Sequence, residues 1–238
     1  MTTYRIKDVA HINPDKLADS TNPDFEFKYI DIGSVDQYGN INIPDSVTRF
    51  DRAPSRARRL AQPGDTIVST VRTYLRAIAT VPHAKEALVF STGFAVLRAG
   101  GQVDNRFLAY YCRSEPFINE VVARSVGVSY PAINPSDLAS IDFPMKPTDE
   151  QRRIADFLDA ETSRIDALLQ ARGKQRSALA EREVSVIARM LSGGASVDTG
   201  RPTGWPWLPH IPTNWSVGPV YAYYAVDLGK MLNKERSS

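Results

Sequence analysis

PTDEQRRIADFLDAETSRIDALLQARGKQRSALAEREVSVIARML, from Pro147 to Leu191, decides how the rest of the chain is read. It has no proline after its first residue and a single glycine, Gly173, the pattern of one long helix rather than several short ones. Thr148 and Gln151 have the spacing of a capping box, and Asp149 and Glu150 set negative charge against the free amides of the first turn. Leu158, Ile165, Leu179 and Val186 recur at seven-residue steps, interrupted by Arg172, and Ile154, Leu168, Leu169, Ile187 and Met190 flank the same stripe. This is a coiled-coil seam with polar breaks. At ~1.5 Å per residue the helix is roughly 60 Å long, more than the width of a compact domain of this size, so the stripe is expected to find a partner. The alternative is an amphipathic helix packed on its own domain. Eight Lys or Arg and six Asp or Glu between Gln151 and Ser192 leave it nearly neutral, better suited to bind protein than DNA.

Outward from the helix, 238 residues with 42% hydrophobic and 24% charged side chains describe a soluble globular chain of one or two domains. The opening MTTYRIKDVAHINP lacks a basic start followed by an apolar run, and no stretch approaches the ~18 apolar residues of a membrane span. A cytoplasmic protein with no membrane partner is expected. Cys112, alone among Tyr110, Tyr111 and Arg113, reads as a packing residue rather than a nucleophile. His11, His83 and His210 are too scattered to form a metal motif. No catalytic residue and no metal site is expected.

The net charge of +2 is small, but its distribution is not even. Between Asp8 and Asp45 stand eight acids against Lys16 and Lys28; from Arg49 to Arg76 come Arg49, Arg52, Arg56, Arg58, Arg59, Arg72 and Arg76 against Asp51 and Asp65. Arginine forks take a guanine edge or a phosphate in two hydrogen bonds, so this patch is the candidate DNA face. The competing reading is a solvated segment that offsets the acids beside it.

The N-terminal part is mostly β. Tyr4 to Ala10 reads as a short edge strand or turn, and Phe25, Phe27 and Tyr29 alternate with Glu26 and Lys28 in a half-buried strand. Pro63-Gly64 has the order of a type II turn ahead of the strand Thr66 to Val71, which Leu75 to Val81 is expected to join. Leu88 to Phe90 and Phe94 to Leu97 are expected to pair around Ser91-Thr92-Gly93. Helices follow from Asp104 to Cys112, capped by Asp104 or Asn105, and from Ser114, with Pro116 in the first turn. VSYPAINPSDLASIDFPMKP carries a helical turn near Pro135 to Leu138 and a short strand at Ile141 to Phe143. Ser192 to Pro212, rich in Gly, Ser and Pro, reads as a linker, with Trp205, Trp207 and Trp215 as surface anchors. Trp215-Ser-Val parallels Tyr4-Arg-Ile, as though a second copy of the domain were starting.

RRLAQPGDTIVSTVR, GVSYPAINPSDLASIDFPMKPTDEQRRIADFLDAETSRIDALL and IPTNWSV together resemble the DNA-specificity subunit of type I restriction-modification systems, over Tyr4 to Lys234. The resemblance implies an α+β chain: a mainly β target-recognition domain with small helices at residues 1–147, a long dimerisation and spacer helix at 148–192, and a linker with the start of a second recognition domain, including Leu228 to Leu232, at 193–238. It implies a non-catalytic subunit, bacterial or archaeal, bound to double-stranded DNA. Its partners are then a modification subunit that methylates adenine with S-adenosylmethionine and a restriction subunit that translocates with ATP and Mg. The chain contains neither a Gly-x-x-x-x-Gly-Lys-Ser/Thr phosphate loop nor an Asn-Pro-Pro-aromatic motif.

Half of that architecture predicts a two-fold pair of chains joined antiparallel through Ile154, Leu158, Ile165, Leu168, Leu169, Leu179, Val186 and Met190. The expected DNA contacts are Arg49, Arg52, Arg56, Arg58 and Arg59; Arg72, Tyr74 and Arg76 at a strand connection; and Ser129, Tyr130 and Asn134 in the family's shared stretch. A different class, a scaffold protein that binds partners through its helix without reading DNA, fits the same helix.

Overall fold

The computed structural model describes residues 4–194 and 198–225. Leu228 to Leu232 lie outside them. The chain divides into two compact units, the first ending at Ser163 and the second beginning at Arg164.

The first unit opens with β1 (Tyr4–Arg5), a one-turn helix α1 (Ile6–Val9), β2 (Ala10–Ile12) and β3 (Asp15–Lys16). It continues through β4 (Glu26–Ile30), β5 (Thr48–Arg49), β6 (Ala57–Leu60), β7 (Thr66–Ser69), β8 (Ile78–Thr80), β9 (Leu88–Ser91) and β10 (Phe94–Ala99). Three helices come next, α2 (Asn105–Cys112), α3 (Glu115–Ala123) and α4 (Pro135–Ala139), then β11 (Asp142–Phe143) and the start of α5 (Thr148–Leu191). The α+β class read from the sequence is the class observed.

Two sheets carry the domain, one ordered β2-β10-β7-β8 and one ordered β3-β6-β9-β4-β5, while β1 pairs with β11. The hydrogen bond from Asp65 N to Gln62 O (3.0 Å) closes the expected turn, and Gly64 at its third position has φ +89°, which only glycine adopts without strain. β7 and β8 pair antiparallel as expected. β9 and β10 do not pair with each other. β9 lies between β6 and, in parallel, β4, whereas β10 lies between β2 and β7. The Ser91-Thr92-Gly93 connection is therefore a crossing from one sheet to the other rather than a hairpin. The packing agrees with this: Phe90 and Phe94 meet edge to face at 5.9 Å within one apolar cluster that also holds Ile30, Ile67 and Val96.

The alternation in β4 also breaks. Lys28, expected to face water, is buried because its ammonium donates to the carbonyl oxygens of Pro44 (2.8 Å) and Asp45. A second apolar cluster joins β7 and β10 to the helices through Leu97, Leu108, Phe117 and Leu138. Cys112 is fully buried within it, and burial pushes its thiol well above the usual range, as a packing residue requires.

α5 begins one residue earlier than a Thr148 cap allows. The Pro147 carbonyl accepts from Glu150 N and Gln151 N, so Pro147 is the cap and Thr148 the first helical residue. Gln151 consequently does not close a capping box. It is 0% exposed, accepts from Asp104 N (2.9 Å) and donates to the carbonyls of Lys146 (2.7 Å) and Gln102 (3.1 Å). Arg106 adds ion pairs to Asp156 (2.8 Å) and Asp159 (2.7 Å), and Tyr110 donates to Asp159 (2.6 Å). The first turns of α5 are thus built into the domain.

In the second unit, the stretch read as a linker carries a hairpin, β12 (Gly200–Trp205) and β13 (Leu208–Pro212). A two-stranded ribbon is all edge, so the prolines that argued for a linker remove no interior ladder bond. Trp205 and Trp207 stack on each other at 5.4 Å and 4°, and both are exposed.

Candidate nucleic-acid interface

Two of the seven arginines of the segment, Arg49 and Arg58, pair with acids of the acidic segment before it. Arg49 pairs with Asp24 and with Asp51 (3.1 Å), and Arg58 pairs with Asp19 (3.0 Å) while lying over the Phe50 ring at 5.1 Å. Arg76 forks onto Glu115 from across the domain at 2.5 and 3.2 Å. Arg59 is half-buried, its Nε has no hydrogen-bond partner, and burial lowers the affinity of its guanidinium for the proton. Among the described residues, Arg52, Arg56 and Arg72 are exposed with no acidic partner.

Two of these three meet at one place. A cleft of about 670 Å³ is lined by Arg56 from the approach to β6 and by Arg72 from the β7–β8 connection. Tyr130 reaches it from the loop after α3, and Asp31, Thr92 and Gly93 line it from the ends of the second sheet. The loops are tied together by backbone. Val71 bridges Ala132, Arg72 N donates to Pro131 O (2.8 Å), and Thr92 N donates to Arg56 O (2.8 Å). Beneath them, the Thr73 and Ser125 hydroxyls meet at 2.9 Å.

Arg72 and Arg76 both have left-handed backbones, with φ 51° and 53°, bracketing the short 3₁₀ turn Thr73–Leu75. Such strain in non-glycine residues is kept where the surrounding structure over-determines it. At Gly93 a Cβ would stand 2.6 Å from Ile32 Cδ1 and 3.1 Å from Val71 Cγ2. A side chain here would have to displace the ends of Ile32 and Val71, both of which line the cleft.

Of the residues chosen from sequence, the cleft therefore brings together Arg56, Arg72 and Tyr130. Tyr74 is exposed on the same connection as Arg72, and Ser129 is exposed beside Tyr130, but neither lines the cleft. Asn134 serves as the N-cap position of α4. Arg49, Arg52, Arg58, Arg59 and Arg76 stand outside it. Asp31, Tyr29, Ser91, Thr92 and Gly93 line the cleft and were missed. The glycine-containing turn between two apolar runs is the sequence signal for the last three, and its spacing suits a hairpin equally well.

Of the residues expected to join two helices, Ile154 packs against the apolar core and Leu158 is half-buried. Ile165, Leu168, Leu169, Leu179, Val186 and Met190 are all exposed. Phe157 and Val184, absent from the sequence choice, are exposed as well. No helix among the described residues is long and apolar enough to cross a membrane.

The family described as type I restriction modification DNA specificity domain matches residues 1–175. Among solved structures, a chain from work on the structural basis of complex assembly and conformational transition of the type I R-M system is 31% identical, with a TM-score of 0.67. That alignment covers 82% of this chain and 51% of the other. The HsdS subunit from Thermoanaerobacter tengcongensis is 30% identical with a TM-score of 0.63, over 84% of this chain and 51% of that one. The chain thus spans about half the length of the structures it matches. No curated protein matches it.

Proposed function

This chain belongs to the type I restriction modification DNA specificity family, and we propose that it is a non-catalytic subunit whose first unit reads double-stranded DNA at the cleft between Arg56, Arg72 and Tyr130. The observation that carries this reading is selective neutralisation: Arg49, Arg58 and Arg76 are held by the domain's own acids, whereas Arg56 and Arg72 face one cleft without an acidic partner among the described residues. Guanidinium groups without an acidic partner on anchored loops, that of Arg72 also strained, are suited to phosphate or guanine recognition.

The exposed stripe of α5, Ile165, Leu168, Leu169, Leu179, Val186 and Met190, joins two copies antiparallel. A two-fold pair reads a bipartite site whose half-sites are separated by a spacer set by helix overlap. Methylation of adenine, with S-adenosylmethionine, belongs to a separate modification subunit, and ATP- and Mg-dependent translocation and cleavage belong to a restriction subunit.

The test is competition binding of the chain, complexed with its modification subunit, to duplexes of random sequence at two salt concentrations. Specific binding that weakens steeply with salt, and weakens further in Arg56→Ala and Arg72→Ala, is expected. Self-association through the helix with no DNA binding at low salt identifies a scaffold instead.

A further inference from the structure

Asp31 is a carboxylate in a cleft otherwise suited to anions, and we propose that it reads cytosine, accepting a hydrogen bond from the exocyclic amine in the major groove. The proposal rests on the cleft being the DNA-reading surface. Asp31 lines that cleft together with Arg56 and Arg72 and is exposed to solvent there. One of its oxygens, Oδ1, accepts from Ser34 N (3.0 Å) and from Ser34 Oγ (3.0 Å). These two bonds fix the carboxylate. Oδ2 has no hydrogen-bond or ion-pair partner among the described residues, and neither Arg56 nor Arg72 is paired with it.

A fixed negative charge repels phosphate, so in a DNA-binding cleft it is suited to meet a donor on a base edge. In the major groove those donors are the amines of cytosine and adenine. Adenine sets the N7 acceptor beside its amine, where a second carboxylate oxygen is repelled, whereas cytosine sets only a C–H there. An unshared acceptor held in one orientation therefore favours cytosine. The neighbouring arginine forks carry the complementary preference for guanine.

Asp31 also caps the 3₁₀ turn Ile32–Ser34, and that role alone would explain its Ser34 bonds. Asp31→Asn separates the two. Its side-chain oxygen still caps the turn, because asparagine caps as well as aspartate, but the outward atom becomes an amide N–H donor.

The experiment selects duplexes from a random-sequence pool with the full chain bound to its modification subunit, for the wild type and for Asp31→Asn. A wild-type motif with one dominant cytosine, lost roughly 10- to 100-fold in Asp31→Asn while other positions and the thermal midpoint stay unchanged, is the expected result. A duplex carrying a cytosine analogue without its amine at that position should weaken wild-type binding equally and leave the variant indifferent. A wild-type motif that survives unchanged in Asp31→Asn overturns the role of Asp31 alone. Recovery of unselected sequence by the wild type overturns the reading of the cleft, and the role of Asp31 with it.

Discussion

The guanidinium of Arg72 lies over the ring of Tyr130, 4.8 Å from its centroid, while the amide of Arg72 donates to the carbonyl of Pro131, 2.8 Å away. The first contact holds the head of the side chain and the second holds its root. A flexible surface arginine loses rotamer entropy on binding; here part of that cost is met before DNA arrives.

Arg72→Ala should lower discrimination between the preferred and a mismatched duplex by ~1–3 kcal/mol. Tyr130→Leu, which removes the ring but leaves the arginine, should cost only ~0.5–1 kcal/mol. Arg49→Ala and Arg58→Ala, whose charges are already answered by Asp24 and Asp19, should leave discrimination unchanged. Competition binding at fixed salt measures all four; equal losses across them would assign DNA contact to the whole segment rather than to the cleft.

Gln151 joins three backbone groups at the root of α5. Gln151→Ala removes the acceptor of Asp104 N and a donor to the carbonyls of Gln102 and Lys146 from a fully buried side-chain position, and should destabilise the domain by about 1–3 kcal/mol in urea unfolding. Thr148→Ala, the other half of the supposed capping box, should cost less than 0.5 kcal/mol, since Thr148 is not the cap.

Local features of this fold are legible in the sequence and non-local ones are not. The span of α5 and the Pro63-Gly64 turn are local properties, set by periodicity and by the conformations that proline and glycine permit, and both were legible. Strand partners are not local. Leu88 to Phe90 and Phe94 to Leu97 look like a hairpin from their spacing, but they pair into different sheets, with Phe90 packed against Phe94. The cleft inherits that limit, because Asp31, Thr92 and Arg72 come from segments that meet only once both sheets exist. Gln151 was read from its spacing to Thr148, whereas two of its three backbone partners lie 47 and 49 positions away.

Asp65 is buried and takes both Arg98 Nε (3.0 Å) and Nη2 (2.9 Å), and Arg98 reaches Asp15 at 2.8 Å as well. Asp65→Ala removes two of the three hydrogen bonds of that guanidinium and leaves the pair with Asp15. The loss should approach but not reach the ~3–5 kcal/mol of a fully buried pair, because a quarter of the Arg98 side chain is exposed to water. Chemical denaturation of the variant measures it.

Stability should be flat near neutral pH and fall in alkali. Burial raises the Cys112 thiol well above its usual range and pushes the Tyr111 hydroxyl up to about 12. A raised folded-state value means that the unfolded chain loses its proton first. The stability these groups contribute is therefore complete below their unfolded values, ~8.5 and ~10, and declines above them. Between pH 9 and 10 the thiol alone accounts for at most ~1.4 kcal/mol. Urea unfolding across this range should show the decline, and Cys112→Ala should remove its first part.

On α5, Leu168→Glu and Leu179→Glu should abolish self-association in sedimentation equilibrium without changing the unfolding of the domain, because both side chains are exposed. Ile154→Ala should do the reverse, costing about 1–2 kcal/mol of stability through its packing, partly buried, on the core.

The most direct measurement is a genome-wide map of methylated adenine in cells expressing the chain with its modification subunit. A new two-fold symmetric, bipartite motif is the predicted result, and one helical turn added to α5 should lengthen its spacer. No new methylation, with the two proteins soluble and bound to each other, would contradict the claim that a pair of these chains reads DNA.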